Sequence, residues 1–306
     1  MAAPTIPSAR GGQVRLLKLA AVRWLVIGHR WLGILTCLLC AMWFVSGLVM
    51  VYVPYPAFTD RDRMLYAEPL SAGAVAVTPD QALAAAGLTS WPSLMKLDML
   101  RGEPVWRIQD GGTRLALSAV DGRPIGPVSE ADAVDAVRRL LPKRHVGEVR
   151  TLVRDQWTVA QGYDPHRPLR KVSLAGDDCL VLYVSSTAGE VVGDTNRTER
   201  AWNWVGSIPH WIYPTALRKD NAAWRQVTMW TSGPAVIAAL AGAILGVIRL
   251  GLRPGRPLSP FRGWMKWHHW AGLTGGLFAL AWLFSGWLSV NPFQWFPRRS
   301  APDTAL

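Results

Sequence analysis

The sequence predicts a membrane protein with three transmembrane α-helices and an extracytoplasmic α+β domain made of two related halves. Three observations predict it. Uncharged apolar runs long enough to cross a bilayer lie near both ends of the chain, with one more between residues 226 and 248. Basic residues without acidic ones are confined to the short segments beside those runs. Between residues 60 and 205, a capped helix followed by strand-like runs and a Gly-containing turn occurs twice.

The implied division is a basic cytoplasmic N-terminus (1–28), helix 1 (29–53), the external domain with an interfacial segment (54–225), helix 2 (226–248), a basic cytoplasmic loop (249–267), helix 3 (268–290) and an external tail (291–306). A formal net charge of +12 is of the sign that nucleic acid attracts, but its distribution is not that of a nucleic-acid binder. Residues 1–59 carry Arg10, Arg15, Lys18, Arg23 and Arg30, and residues 249–267 carry Arg249, Arg253, Arg256, Arg262 and Lys266, with no acid in either. Residues 60–225 hold 21 basic and 20 acidic side chains, which is near neutrality. The charge therefore reports topology, with the basic segments inside, and no nucleic-acid partner is expected.

Helix 1 begins His29-Arg-Trp-Leu-Gly33 and helix 3 begins His268-His-Trp-Ala-Gly272. Aligned on His29 and His268, both read His-x-Trp-x-Gly, with Ser-Gly seventeen and eighteen residues after the histidine. On a helix, positions +4 and +18 fall within about 40° of the starting residue. His29, Gly33 and Gly47 therefore share one face, as do His268, Gly272 and Gly286. An imidazole followed by positions without side chains leaves room for something flat and large, which reads as a haem pocket between two helices. The competing reading makes the histidines interfacial anchors and the glycines close-packing sites. His269 lies about 100° around the helix from His268 and is the alternative ligand. Arg30 and Lys266 are placed to pair with haem propionates, or serve topology alone.

In the external part, Thr78-Pro-Asp-Gln opens a short helix, Val105–Ile108 is strand-like, and Asp121-Gly122 marks a hairpin turn. Ser129 caps a second, amphipathic helix, and Leu180–Val192 reads strand, Gly turn, strand. Residues 200–225 are rich in Trp and Tyr with prolines between, the composition of a segment along the outer headgroups. His210 is its one candidate ligand, for an outer haem or as a plain interfacial histidine. Helix 2 carries Pro234, an expected kink, and an Ala/Gly-rich inner half suited to tight helix packing. Cys37 and Cys40 lie one turn apart in an apolar run and Cys179 is alone, so no disulfide framework is expected. There is no GxGxxG, Walker loop or HExxH, so no recognisable route for a nicotinamide hydride and no protease.

The HRWLG and HHWAG helix starts, each closing in Ser-Gly, together with WNWVGSIPHWIY and the external segments AVDGRPI and STAGEVV, resemble the PepSY-associated transmembrane proteins of bacteria. The resemblance spans His29 to Pro292. It implies a bacterial inner-membrane protein with PepSY-like external halves, and for some members b-type haem and reduction of ferric siderophore iron. Electrons would come from a quinol or a separate flavoprotein. The chain departs from those reductases in lacking a fourth span, which leaves open whether it holds one haem or two. A membrane-anchored, non-enzymatic binding or regulatory protein is the alternative function.

Overall fold

The computed structural model describes residues 9–111 and 113–296. The chain forms two compact units, Met1–Phe44 with Asn221–Leu306, and Val45–Asp220. The expected external position of the tail bears largely on residues 297–306, which lie outside the described residues.

The first helix, α1, is Ala9–Tyr52. It starts twenty residues before the expected span at 29, because twelve of the sixteen residues 13–28 are Leu, Ala, Val, Arg or Lys and none is proline. The intervening charges kept this stretch out of the apolar window, not out of the helix.

In the second unit, α2 (Asp60–Leu65) is capped by Thr59 and α3 (Pro79–Ala85) by Thr78, whose hydroxyl accepts from the Gln81 amide while Gln81 accepts from the Thr78 amide. Strands β1 (Leu94–Leu100), β2 (Glu103–Asp110) and β3 (Thr113–Ser118) form an antiparallel meander. Ala82 and Leu83 of α3 pack on Ile108 and Leu117 of that sheet. After β3 the turn at Gly122 (φ +80°) is present, but the return arm shrinks to one bridge, Leu117 to Pro124. Proline has no N–H to extend a ladder, so the expected second hairpin strand does not form.

Helix α4 (Glu130–Leu140), capped by Ser129, lays Ala133 and Val137 on the second sheet: β4 (Val146–Leu152), β5 (Leu169–Leu174), β6 (Val181–Ser185) and β7 (Val191–Thr195), in that order. Both halves are thus a capped helix on an antiparallel meander, three-stranded in the first and four-stranded in the second. Residues 197–218 then form three short helices, α5 (Arg197–Asn203), α6 (Ser207–His210) and α7 (Thr215–Arg218). Asn203, Ser207, Ile208 and Tyr213 of this stretch are buried.

Helix α8 (Asn221–Ile248) runs through Pro234 without a break. The expected third helix is two, α9 (Gly263–Thr274) and α10 (Gly276–Ser289), bent by 59°. Thr274-Gly275-Gly276 at the junction is the cause, since paired glycines pay the least to leave helical geometry. The chain therefore has two helices long and apolar enough to cross a membrane, or three if the bent pair is one span. Glycines of α8 admit its neighbours: Gly246, in the Ala/Gly-rich inner half, faces Leu273, and Gly233, outside that half, faces Trp287. Arg225 donates to the Val290 and Asn291 carbonyls at 3.1 and 2.9 Å, tying the start of α8 to the end of α10.

Candidate functional site

His29 and His268 meet. Their ring centroids are 6.1 Å apart with planes 39° from parallel. Nδ1 of His29 lies 2.9 Å from the Ala238 carbonyl of α8. A carbonyl only accepts, so Nδ1 carries a proton, and in the neutral tautomer Nε2 keeps its lone pair. Metal-bound histidines are oriented in this way, by a carbonyl on the other ring nitrogen. Close approach of the ring needs Gly242, where an added Cβ would lie 2.6 Å from Cε1 of His29. His268 is exposed and makes no hydrogen bond among the described residues.

His269 is engaged at both nitrogens. Nε2 donates to the Gly246 carbonyl at 2.9 Å, which leaves Nδ1 to accept from the Ser259 hydroxyl, also at 2.9 Å. It is only 6% exposed and its ring meets Phe261 edge to face. His269 thus joins α9 to α8 and the preceding loop, with both ring nitrogens in hydrogen bonds.

The glycines divide. A Cβ at Gly33, Gly272 or Gly286 would meet nothing within 4 Å, so among the described residues none serves helix packing. Gly47 differs: its Cβ would lie 3.2 Å from Cε1 of His210, and Nδ1 of His210 is 3.0 Å from the Ser46 hydroxyl. The Ser-Gly that closes helix 1 therefore seats His210 and does not extend the open stripe above His29. His210 belongs to the Val45–Asp220 unit, whereas His29 and His268 belong to the other.

Arg30 is exposed with its guanidinium 5.7 Å from the Trp31 ring centre. Lys266 lines a cavity of about 660 Å³ with Arg262, Ser259, Phe261 and Trp270. The three cysteines are free. Among the described residues no cluster of three or more His, Cys, Asp or Glu could hold a bare metal ion. Two imidazoles are too few for such an ion but are all that a protein supplies to a bis-histidine haem.

In the sheet unit, His166 is buried between the two sheets. Its Nδ1 is 3.0 Å from the Ser185 hydroxyl, and its Nε2 is 2.8 Å from Nη1 of Arg114. Arginine only donates, so Nε2 accepts and the ring is neutral. Burial first, and the Arg114 charge second, push the imidazole down from 6.5 to about 4. The unfolded state then takes up a proton before the folded state does. Stability is full above pH 6.5 and should fall as pH drops from 6.5 towards 4. In His166→Gln this part of the acid-induced loss should vanish from a chemical-denaturation series, while the wild-type protein keeps it.

Fold and site together define a membrane protein that carries a sheet-containing domain. Residues 24–303 match the family model described as the PepSY-associated TM region, and the chain belongs to that family. No curated protein and no solved structure matches it.

Proposed function

We propose that the protein is a haem-b oxidoreductase of a bacterial inner membrane that passes electrons to an extracytoplasmic acceptor, with ferric siderophore iron as the candidate substrate. The observation that carries this reading is the pair of His29 and His268, 6.1 Å apart by ring centroid. One metal centre would be held by two such imidazoles, one from α1 and one from α9, which is all that a protein supplies to a bis-histidine haem. The residues fit the group on three further counts. The Nδ1 proton of His29 is tied to Ala238, its Nε2 is bare, and the helix surfaces at Gly33 and Gly272 are open.

Bound haem supplies a one-electron couple whose potential is set by its axial ligands and surroundings. The chain's own residues hold and shape the site. His29 and His268 would hold the group, the Ala238 carbonyl fixes the tautomer of His29, and Arg30 and Lys266 would offer cations to propionates near the cytoplasmic headgroups. His269 holds α9 in place beneath them. The electron donor is a quinol or a flavoprotein, because no nicotinamide fingerprint exists in the chain.

The topology in this reading has three spans, α9 and α10 acting as one bent span, with the sheet unit and the C-terminus outside. An alkaline phosphatase fusion at Leu306 should be active and one at Arg256 inactive; the reverse pattern overturns it. The cofactor itself is tested by purifying the protein from haem-supplied cells. A Soret band with sharp α and β bands on reduction is expected. A colourless protein would leave a membrane-anchored binding module as the function.

A further inference from the structure

Between the two sheets of the Val45–Asp220 unit lies a cleft of about 440 Å³. Its walls are β1, β2 and β3 on one side, and the segment before β5 with the β6–β7 turn on the other. Four cationic side chains line it, Arg63, Lys96, Arg107 and Arg114, against one carboxylate, Glu190. The charges are not evenly matched. Arg107, only 7% exposed, donates from Nε to Asp98 at 2.8 Å and from Nη1 to the Ala188 carbonyl. Lys96 lies 3.2 Å from Glu190 and 3.6 Å from Asp98. These two cations and two acids neutralise one another. Burial pushes the Glu190 carboxyl up, but Arg107 and Lys96 outweigh burial and hold it below its ordinary range, so it stays ionised. Arg63 lies 3.6 Å from Asp60 on the exposed surface, a contact of little weight, and its guanidinium is 5.4 Å from the Phe58 ring centre, which does not cancel its charge.

Arg114 is left over. It is half-buried, and among the described residues no carboxylate lies within 4 Å of it. Its one hydrogen bond goes to Nε2 of His166, a neutral ring that positions the guanidinium without cancelling its charge. The far side of that ring is anchored on the Ser185 hydroxyl, so the guanidinium is held by a buried network and not by a mobile surface contact. A guanidinium has five N–H donors in a planar fork, and among the described residues this one uses a single donor. A cation withdrawn from water stays costly until an anion faces it.

We propose that this inter-sheet cleft is a binding site for a small organic oxyanion, a ligand bearing carboxylate or phosphate groups, with Arg114 as its principal contact. Arg63 adds a second positive charge at the cleft wall, and the ion-paired Lys96 and Arg107 form a charge-balanced floor. The volume falls in the ordinary range of small-ligand sites, about 300–1,000 Å³, and is too small for a polymer. The site lies wholly within the sheet unit and does not depend on haem.

Calorimetric titration of the full-length protein in detergent at low salt, with citrate in one series and inorganic phosphate in another, tests it. Saturable binding of citrate identifies a carboxylate ligand, and saturable binding of phosphate alone a phosphate-bearing one. Arg114→Gln should weaken whichever binds by tenfold or more without lowering the melting temperature appreciably. Arg114→Lys should recover part of the loss. Arg150→Gln, which removes an exposed arginine paired with Glu148, should change nothing. The proposal is overturned if neither anion saturates, if Arg114→Gln binds as the wild type does, or if Arg150→Gln loses as much.

Discussion

His29→Ala should abolish the α and β bands of the reduced protein, and His268→Ala should do the same, with haem content below one tenth of wild type in each. Low-spin bands of this kind need two strong axial ligands, and either alanine leaves one. The comparison that gives the experiment its force is His269→Ala. Both nitrogens of His269 are already engaged, by Ser259 and Gly246. Its loss leaves the Gly246 carbonyl without its imidazole donor and the Ser259 hydroxyl with only the Phe261 amide as partner, a cost of about 1–3 kcal/mol in stability. The bands should survive in the fraction that folds. Outside the membrane helices, His145→Ala and His166→Ala should keep full haem content. If His269→Ala or His210→Ala bleaches the protein while His268→Ala does not, the ligand assignment is wrong.

The meeting of His29 with His268 was readable because the chain repeats itself. Two copies of His-x-Trp-x-Gly in register predict equivalent positions at equal depth, and the rings do lie side by side. The capped helices at Thr78 and Ser129 were readable for a local reason, since each cap is made within four residues. What completes the sites is non-local. The Ala238 carbonyl that orients His29 is 209 residues away, and main-chain groups leave no mark in a sequence. The saturation of His269 depends on a loop serine and a carbonyl of another helix. Arg114 and His166 are 52 residues apart on different halves, so their pairing carried no spacing signal. The bend at Gly275 had a visible cause in Thr274-Gly275-Gly276. It was hidden because an uninterrupted apolar run reports only length, and length does not say whether the helix is straight.

Gly242→Ala should lower both haem content and the melting temperature of the haem-free protein, whereas Gly33→Leu should lower haem content alone. Both replacements add carbon beside the proposed pocket, and they differ in what that carbon meets. At Gly242 an added Cβ would sit 2.6 Å from Cε1 and 3.1 Å from Nδ1 of His29. Either the ring turns, breaking its bond to the Ala238 carbonyl, or α1 and α8 move apart. Overpacking of this kind costs about 1–3 kcal/mol, more than the roughly 1 kcal/mol that alanine returns in helix propensity. The ligand is then displaced whether or not haem is present. At Gly33 nothing lies within 4 Å of an added Cβ, so a larger side chain has no neighbour to strain in the haem-free protein. Leucine there removes an entropic cost of glycine in a helix and should leave the fold intact or slightly firmer. Its only penalty is to occupy the surface on which a macrocycle ligated by His29 would rest. Full haem occupancy in Gly33→Leu would mean that the open face of α1 is covered by lipid, and that haem, if bound, lies against another surface. Equal loss of haem in both variants, with a lower melting temperature only in Gly242→Ala, separates the space for the cofactor from the seat of its ligand.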